Sequence, residues 1–167
     1  AEASEGASLD LWQISQNNPD EQLNQTEFTQ PALLAANIAL WRLWQAEGGA
    51  QPAMLCGHSL GEYAALVAAG ALSLKDGAHL VRQRGQFMQA AVPAGVGAMA
   101  AVLGAEEALV EQVCGQVSQD HAMVVPANFN SPGQIVIGGH AVAVDRDIET
   151  MKNQGNSKNK KQTDSIT

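Results

Sequence analysis

Basic residues are scarce over most of this chain. Residues 1–150 hold five Lys and Arg against sixteen Asp and Glu, a net of −11, and Lys152, Lys158, Lys160 and Lys161 all lie in the last 17 positions. An acidic body has no basic surface with which to displace phosphate counterions, which excludes nucleic acid as the expected partner. The basic tail has no aromatic residue and reads as a solvated end. Cysteine is scarcer still. Cys56 and Cys114 are the only two and form no C-x-x-C pair, so neither a disulfide framework nor a cysteine-built metal site is expected. No apolar run reaches membrane-spanning length, and AEASEGASLD at the start has neither a basic n-region nor an apolar h-region. The expected compartment is the cytosol, with no membrane partner.

What is present is aliphatic. Hydrophobic residues make up 46% of 167 positions while aromatics contribute 4%, so a core built from Ala, Val and Leu is affordable within ordinary domain size. Residues 1–30 read as short helical pieces and loops. Pro31 opens PALLAANIALWRLWQAEGG, where Leu33, Leu34, Ile38, Leu40, Trp41 and Trp44 recur at helical spacing on a broad, largely buried face. The short apolar run PAMLCG reads as a strand, and HSLGEYAALVAAG as a helix closed by Gly70. Ser73 and Asp76 have the spacing of a capping box for a helix that runs to Pro93.

Beyond Pro93 the pattern changes. GAMAAVLG, AEEALVEQVCGQVSQ, MVVPANFN, QIVIGG and HAVAVDRDIETMKNQG give strand, helix, strand, strand, helix, one strand short of a ferredoxin-like unit. NSKNKKQTDSIT, after Gly155, has no strand character and is expected to be a disordered tail. The expected domains are therefore 1–93, 94–155 and a tail over 156–167.

The stretch MLCGHSLGEY holds G-x-S-x-G around Ser59. Strand, sharp turn and helix are what a nucleophile elbow requires, with Gly57 and Gly61 relieving the turn and the helix N-terminus offering free N–H groups. The Leu60 N–H is then placed to contribute to an oxyanion hole. The bland alternative is a serine that merely caps the helix. A nucleophilic serine needs a base, and His58, His79, His121 and His140 each read as structural or solvated rather than as that base. Arg84, four residues after Leu80 and four before Met88, sits on an apolar helix side and calls for an anion, a carboxylate above all. A surface ion pair would also account for it.

GHSLGEYAALVAAGALSL, VRQRGQFMQAAVPAGVGAMAAVLG, NFNSPGQIVIGGH and TQPALLAANIALWRLW resemble bacterial malonyl-CoA:acyl carrier protein transacylases from about residue 1 to about Gly155. The resemblance implies an α/β fold: an α/β-hydrolase-like acyltransferase core, here partial, with a ferredoxin-like insert. It implies malonyl transfer from malonyl-CoA, through a malonyl-serine, to the phosphopantetheine thiol of acyl carrier protein, with no cofactor or metal and a monomeric parent enzyme. Ser59 matches the nucleophile, Leu60 the oxyanion-hole N–H and Arg84 the partner of the malonyl carboxylate. His58, Gln30, Asn128 and Asn130 fall in segments that line the pocket. Two family segments have no match: the G-Q-G-S-Q loop and the S-V-P-S-H-like segment with the catalytic histidine. The chain is thus expected to be an internal fragment, inactive alone. A non-catalytic remnant that binds carrier protein and a general serine esterase are the competing readings.

Overall fold

In a computed structural model of the chain, residues 1–91 and 95–155 are described in full and 159–162 by their backbone. They fall into two units that divide at Ala91 and Val92. The first is helical: α1 (Glu2–Ala7), α2 (Leu11–Asn17), an irregular 3-10 segment (Pro19–Asn24), α3 (Thr26–Ala46), α4 (Leu60–Ala68) and α5 (Leu74–Ala91). Its core gathers Ala3, Ala7, Leu11, Leu34, Ile38, Leu74, Ala78 and Val81 from α1, α2, α3 and α5. Leu34, Ile38 and Val81 are all but completely buried, each contributing about 1.5–3 kcal/mol by removal from water.

The α3–α5 crossing organises this unit. A Cβ at Gly85 would stand 2.5 Å from Glu27 Cα and 2.7 Å from the Thr26 carbonyl oxygen, so the two backbones meet where α5 carries no side chain. The Glu27 N–H donates to Gln89 Oε1 at 2.9 Å, and Gln86 Nε2 donates to Glu27 Oε2 at 3.1 Å. Glycine at the crossing thus lets the start of α3 lie directly on α5.

Three sequence expectations change here. Pro31 lies inside α3, which begins at Thr26, because α5 satisfies an early N–H that would otherwise mark a frayed end. The helix is buried on one side only: Leu33, Leu40, Leu43 and Trp44 are exposed. The strand expected over Ala53–Cys56 is absent. Residues 51–57 make no backbone hydrogen bond among the described residues, and Met54 is 89% exposed. A strand needs a neighbour, and this unit supplies none. Other expectations hold. Ser73 Oγ accepts from the Asp76 N–H at 3.0 Å and donates to Asp76 Oδ2 at 2.7 Å, which caps α5.

The second unit contains β1 (Gly97–Leu103), α6 (Glu107–Val117), β2 (Val124–Ser131), β3 (Gln134–His140), α7 (Ala141–Asn153) and β4 (Asn159–Gln162). The sheet order is β2-β3-β1-β4 and every pairing is antiparallel. That is the split β-α-β-β-α-β arrangement of ferredoxin-like units. The fourth strand departs from the expectation of a tail without strand character, since Asn159–Gln162 pair with Val102–Met99. Main-chain pairing at a sheet edge needs no apolar pattern, and lysines on an edge strand oppose further pairing. The tail expectation for 156–158 and 163–167 lies outside the described residues, as does the helix end at Val92 and Pro93.

Alternation along β1 sends Ala98, Ala100 and Val102 inward against α6 and α7, where they meet Val110, Val113, Ile135, Ile137, Val144, Ile148 and Met151. One charged residue is inside this core. Asp147 on α7 is fully buried, and neither carboxyl oxygen has a hydrogen-bond partner by geometry among the described residues. It lies beside the buried Cys114 of α6. Burial pushes the Asp147 carboxyl above its ordinary range. Burial, and secondarily the Asp147 charge, pushes the Cys114 thiol up to about 12. Cys114 is therefore held as a thiol near neutral pH.

Candidate active site

Ser59 precedes α4 with φ 54° and ψ −116°, a backbone conformation that L-residues other than glycine rarely occupy. Holding it costs on the order of 1–3 kcal/mol, and such strain gathers where geometry is under functional demand. The turn is tight because Gly57 folds onto the helix start: a Cβ there would stand 2.0 Å from the Gly61 carbonyl carbon. Gly61 itself is not crowded, since a Cβ at 61 would meet nothing within 4 Å. It borders an open cavity of about 280 Å³ beside Ile38, Trp41 and Ala64. The crowding expected of both glycines is therefore confined to Gly57.

The Ser59 hydroxyl makes no capping bond to α4. The helix-cap alternative fails on that point. Ser59 Oγ instead accepts a hydrogen bond from Arg84 Nη2 at 2.8 Å. Arg84 is half-buried, and its Nη1 donates to Gln30 Oε1 at 2.6 Å. Gln30, buried on α3, donates through Nε2 to Thr26 Oγ1 at 2.7 Å and to Met88 Sδ at 3.4 Å. Three helices thus converge on one guanidinium, with its second fork turned to the serine. Arg84 makes no ion pair with a carboxylate among the described residues. The surface ion-pair alternative therefore lacks a partner among the described residues, and a half-buried cation facing a serine hydroxyl is suited to an anionic group brought from outside. Arg82, two residues earlier, points away: its Nη1 donates to the Ala7 carbonyl at 2.5 Å at the end of α1.

Leu60 is the first residue of α4 and follows Ser59 directly, so its N–H has no intrahelical acceptor. His58 is exposed, and its side chain makes no hydrogen bond among the described residues; its carbonyl accepts from the Gly61 N–H at 2.8 Å. His79 and His121 are exposed, and His140 Nδ1 accepts from the Met123 N–H at 3.2 Å, a structural contact. No described histidine is bonded to Ser59. Asn128 and Asn130 lie on β2 of the second unit, where Asn128 stands opposite Val136. Ser59, Arg84 and Gln30 are assembled without them. Thr26 and Met88 were not singled out as site residues; the signals were Thr26 four positions before Gln30 and Met88 four after Arg84, both one helical turn away.

The sequence matches the acyl transferase domain family over residues 3–165. It is 53% identical over 146 residues to malonyl CoA-acyl carrier protein transacylase of Salmonella typhimurium, covering 87% of this chain and 47% of that protein. The structure is similar to the crystal structure of a malonyl-CoA:acyl carrier protein transacylase from Xanthomonas oryzae pv. oryzae, with a TM-score of 0.94 and 66% identity over 99% of this chain and 52% of that one. A malonyl-transacylase solved in complex with its type II PKS acyl-carrier protein matches with a TM-score of 0.92 and 46% identity, over 99% of this chain and 53% of that one. The chain spans about half the length of these relatives. A strained serine at a helix start, a guanidinium turned toward it and a match running through both units lead to one conclusion: the chain belongs to the acyl transferase domain family.

Proposed function

We propose that this chain carries the nucleophile and the acid-recognising arginine of a malonyl transferase acting between malonyl-CoA and acyl carrier protein, in fatty acid biosynthesis. Ser59 Oγ attacks the thioester carbonyl, and its proton passes to a base and on to the departing CoA sulfur. The resulting malonyl-serine ester is then attacked by the phosphopantetheine thiol, whose proton returns to Ser59. The Leu60 N–H stabilises the carbonyl oxygen as it gains charge in each step. The observation that carries this reading is Arg84, anchored by Gln30 and turned onto Ser59 Oγ at 2.8 Å. A malonyl carboxylate offers that guanidinium two oxygens in place of one hydroxyl, while acyl groups without a carboxylate offer none. His58, Asn128 and Asn130 are proposed as further substrate-binding residues, each on the resemblance of its own segment to the family.

The reaction uses its two substrates and no further cofactor. The carrier-protein complex of the similar transacylase supports acyl carrier protein as the partner. No helix among the described residues is long and apolar enough to cross a membrane. A cytoplasmic location and a monomeric parent enzyme belong to the same proposal. No described side chain accepts the Ser59 proton, and general-base help is worth roughly 10²–10⁴ in rate, so transfer by the 167-residue chain alone is expected to be slow. Radiolabelled malonyl-CoA tests the reading. Label retained on Ser59 and absent from Ser59→Ala supports it, whereas carrier-protein binding without label would favour a non-catalytic binder. Equal labelling by acetyl-CoA and malonyl-CoA, unaffected by Arg84→Ala, would favour an esterase-like site.

A further inference from the structure

We infer that Thr26 and Gln30 are positioning residues that act on the substrate carboxylate through Arg84. This rests on the reading of Arg84 as a carboxylate clamp and adds what orients the clamp.

Gln30 is 5% exposed and Thr26 is 2% exposed, two of only three buried polar or charged side chains among the described residues. Burying an amide and a hydroxyl costs free energy unless their partners are supplied, so both must be satisfied inside. The partners present fix the amide in one orientation. Thr26 Oγ1 at 2.7 Å and Met88 Sδ at 3.4 Å are acceptors facing Nε2, while Arg84 Nη1 at 2.6 Å is a donor facing Oε1. A flipped amide would set N–H against the N–H of Arg84 and lose the bond to sulfur. With the amide so fixed, Oε1 holds Nη1, and the planar guanidinium has its Nη2 edge turned to Ser59. Gly85 makes the arrangement possible by letting the first turn of α3 rest on α5 next to Arg84. Gln30 therefore need not touch substrate, and Thr26 sits one step further back.

The discriminating pair is Thr26→Val and Thr26→Ser. Valine fills the same volume without an acceptor, and serine keeps the acceptor while giving up a methyl group, so a packing role and a hydrogen-bonding role move in opposite directions. The probe is monoethyl malonate, one carboxylate beside an ester carbonyl, titrated by ligand-detected NMR onto the full 167-residue chain. Thermal melts confirm that each variant is folded. The expected result is wild-type binding, loss in Arg84→Ala, and weakening of roughly tenfold in Thr26→Val and in Gln30→Leu, with Thr26→Ser within about twofold of wild type. If Arg84→Ala loses binding but Thr26→Val and Gln30→Leu bind as wild type does, the positioning role is overturned and the clamp stands. If Thr26→Ser weakens binding as much as Thr26→Val, the role is packing and the inference falls. If wild type binds no better than Arg84→Ala, the clamp reading fails and takes the inference with it.

Discussion

Gly85 on α5 and Glu27 on α3 meet backbone to backbone, with room for a hydrogen at Gly85 but none for a methyl group. Gly85→Ala must push the helices apart at their crossing. Overpacking of this kind costs about 1–3 kcal/mol, read as a lowered midpoint in denaturant titration. The same shift draws Gln30 away from Arg84, so monoethyl malonate binding should weaken along with stability.

Replacing Ser59 by glycine separates stability from function. Glycine adopts φ 54°, ψ −116° without the steric cost borne by serine. Ser59→Gly is expected to raise the unfolding free energy by about 1 kcal/mol while abolishing covalent labelling by malonyl-CoA. Intact-mass measurement and chemical denaturation check the two halves.

Asp147 predicts the direction in which stability changes with pH. Its carboxyl titrates higher in the folded chain than its ordinary 3.8, so between those values the folded state holds a proton that the unfolded state has released. Its contribution is complete below 3.8 and is lost as pH rises through the folded value. Asp147→Asn has no such proton and should flatten that part of the pH–stability curve, as followed by urea midpoints across the acid range.

The two thiols should react very differently. Cys56 is exposed, whereas Cys114 is buried with its thiol pushed up to about 12. Titration with an aromatic disulfide reagent at neutral pH should modify Cys56 promptly and Cys114 only once the second unit unfolds. Prompt reaction at both would contradict the core placement of Cys114.

Elements whose cause is local were legible in the sequence. Ser73–Asp76 capping, the alternation of β1 and the helical spacing of α6 and α7 are written in neighbouring residues. The start of α3 was not, because Gln89, sixty-two residues away, takes the Glu27 N–H. The strand before Ser59 was misread since apolar residues 53–56 state a preference, and pairing needs a partner that the sequence window does not contain. The fourth strand was missed for the converse reason: Asn159–Gln162 have no apolar pattern, and the free edge of β1 recruits their backbone. At the site, motif and helix face singled out Ser59 and Arg84, which the fold brings into one hydrogen bond. The buried Thr26–Gln30 support depends on which helix crosses which, a property of packing.

The unpaired lead-in over residues 51–57 bears on how exactly the serine can be aimed. On its C-terminal side Ser59 is fixed by α4, where amides from Gly61 onward are bonded, the Gly61 N–H to the His58 carbonyl and the Glu62 N–H to the Ser59 carbonyl. On its N-terminal side the six amides of residues 51–57, Pro52 having none, make no main-chain bond among the described residues to slow exchange with deuterium. Amide exchange should therefore fall off sharply across Gly57–Glu62 and mark a one-sided anchorage. A strand laid along 51–57 would close the second side. The resulting gain in placement of Ser59 would be read as slower deuteration, with no new group added to the chemistry.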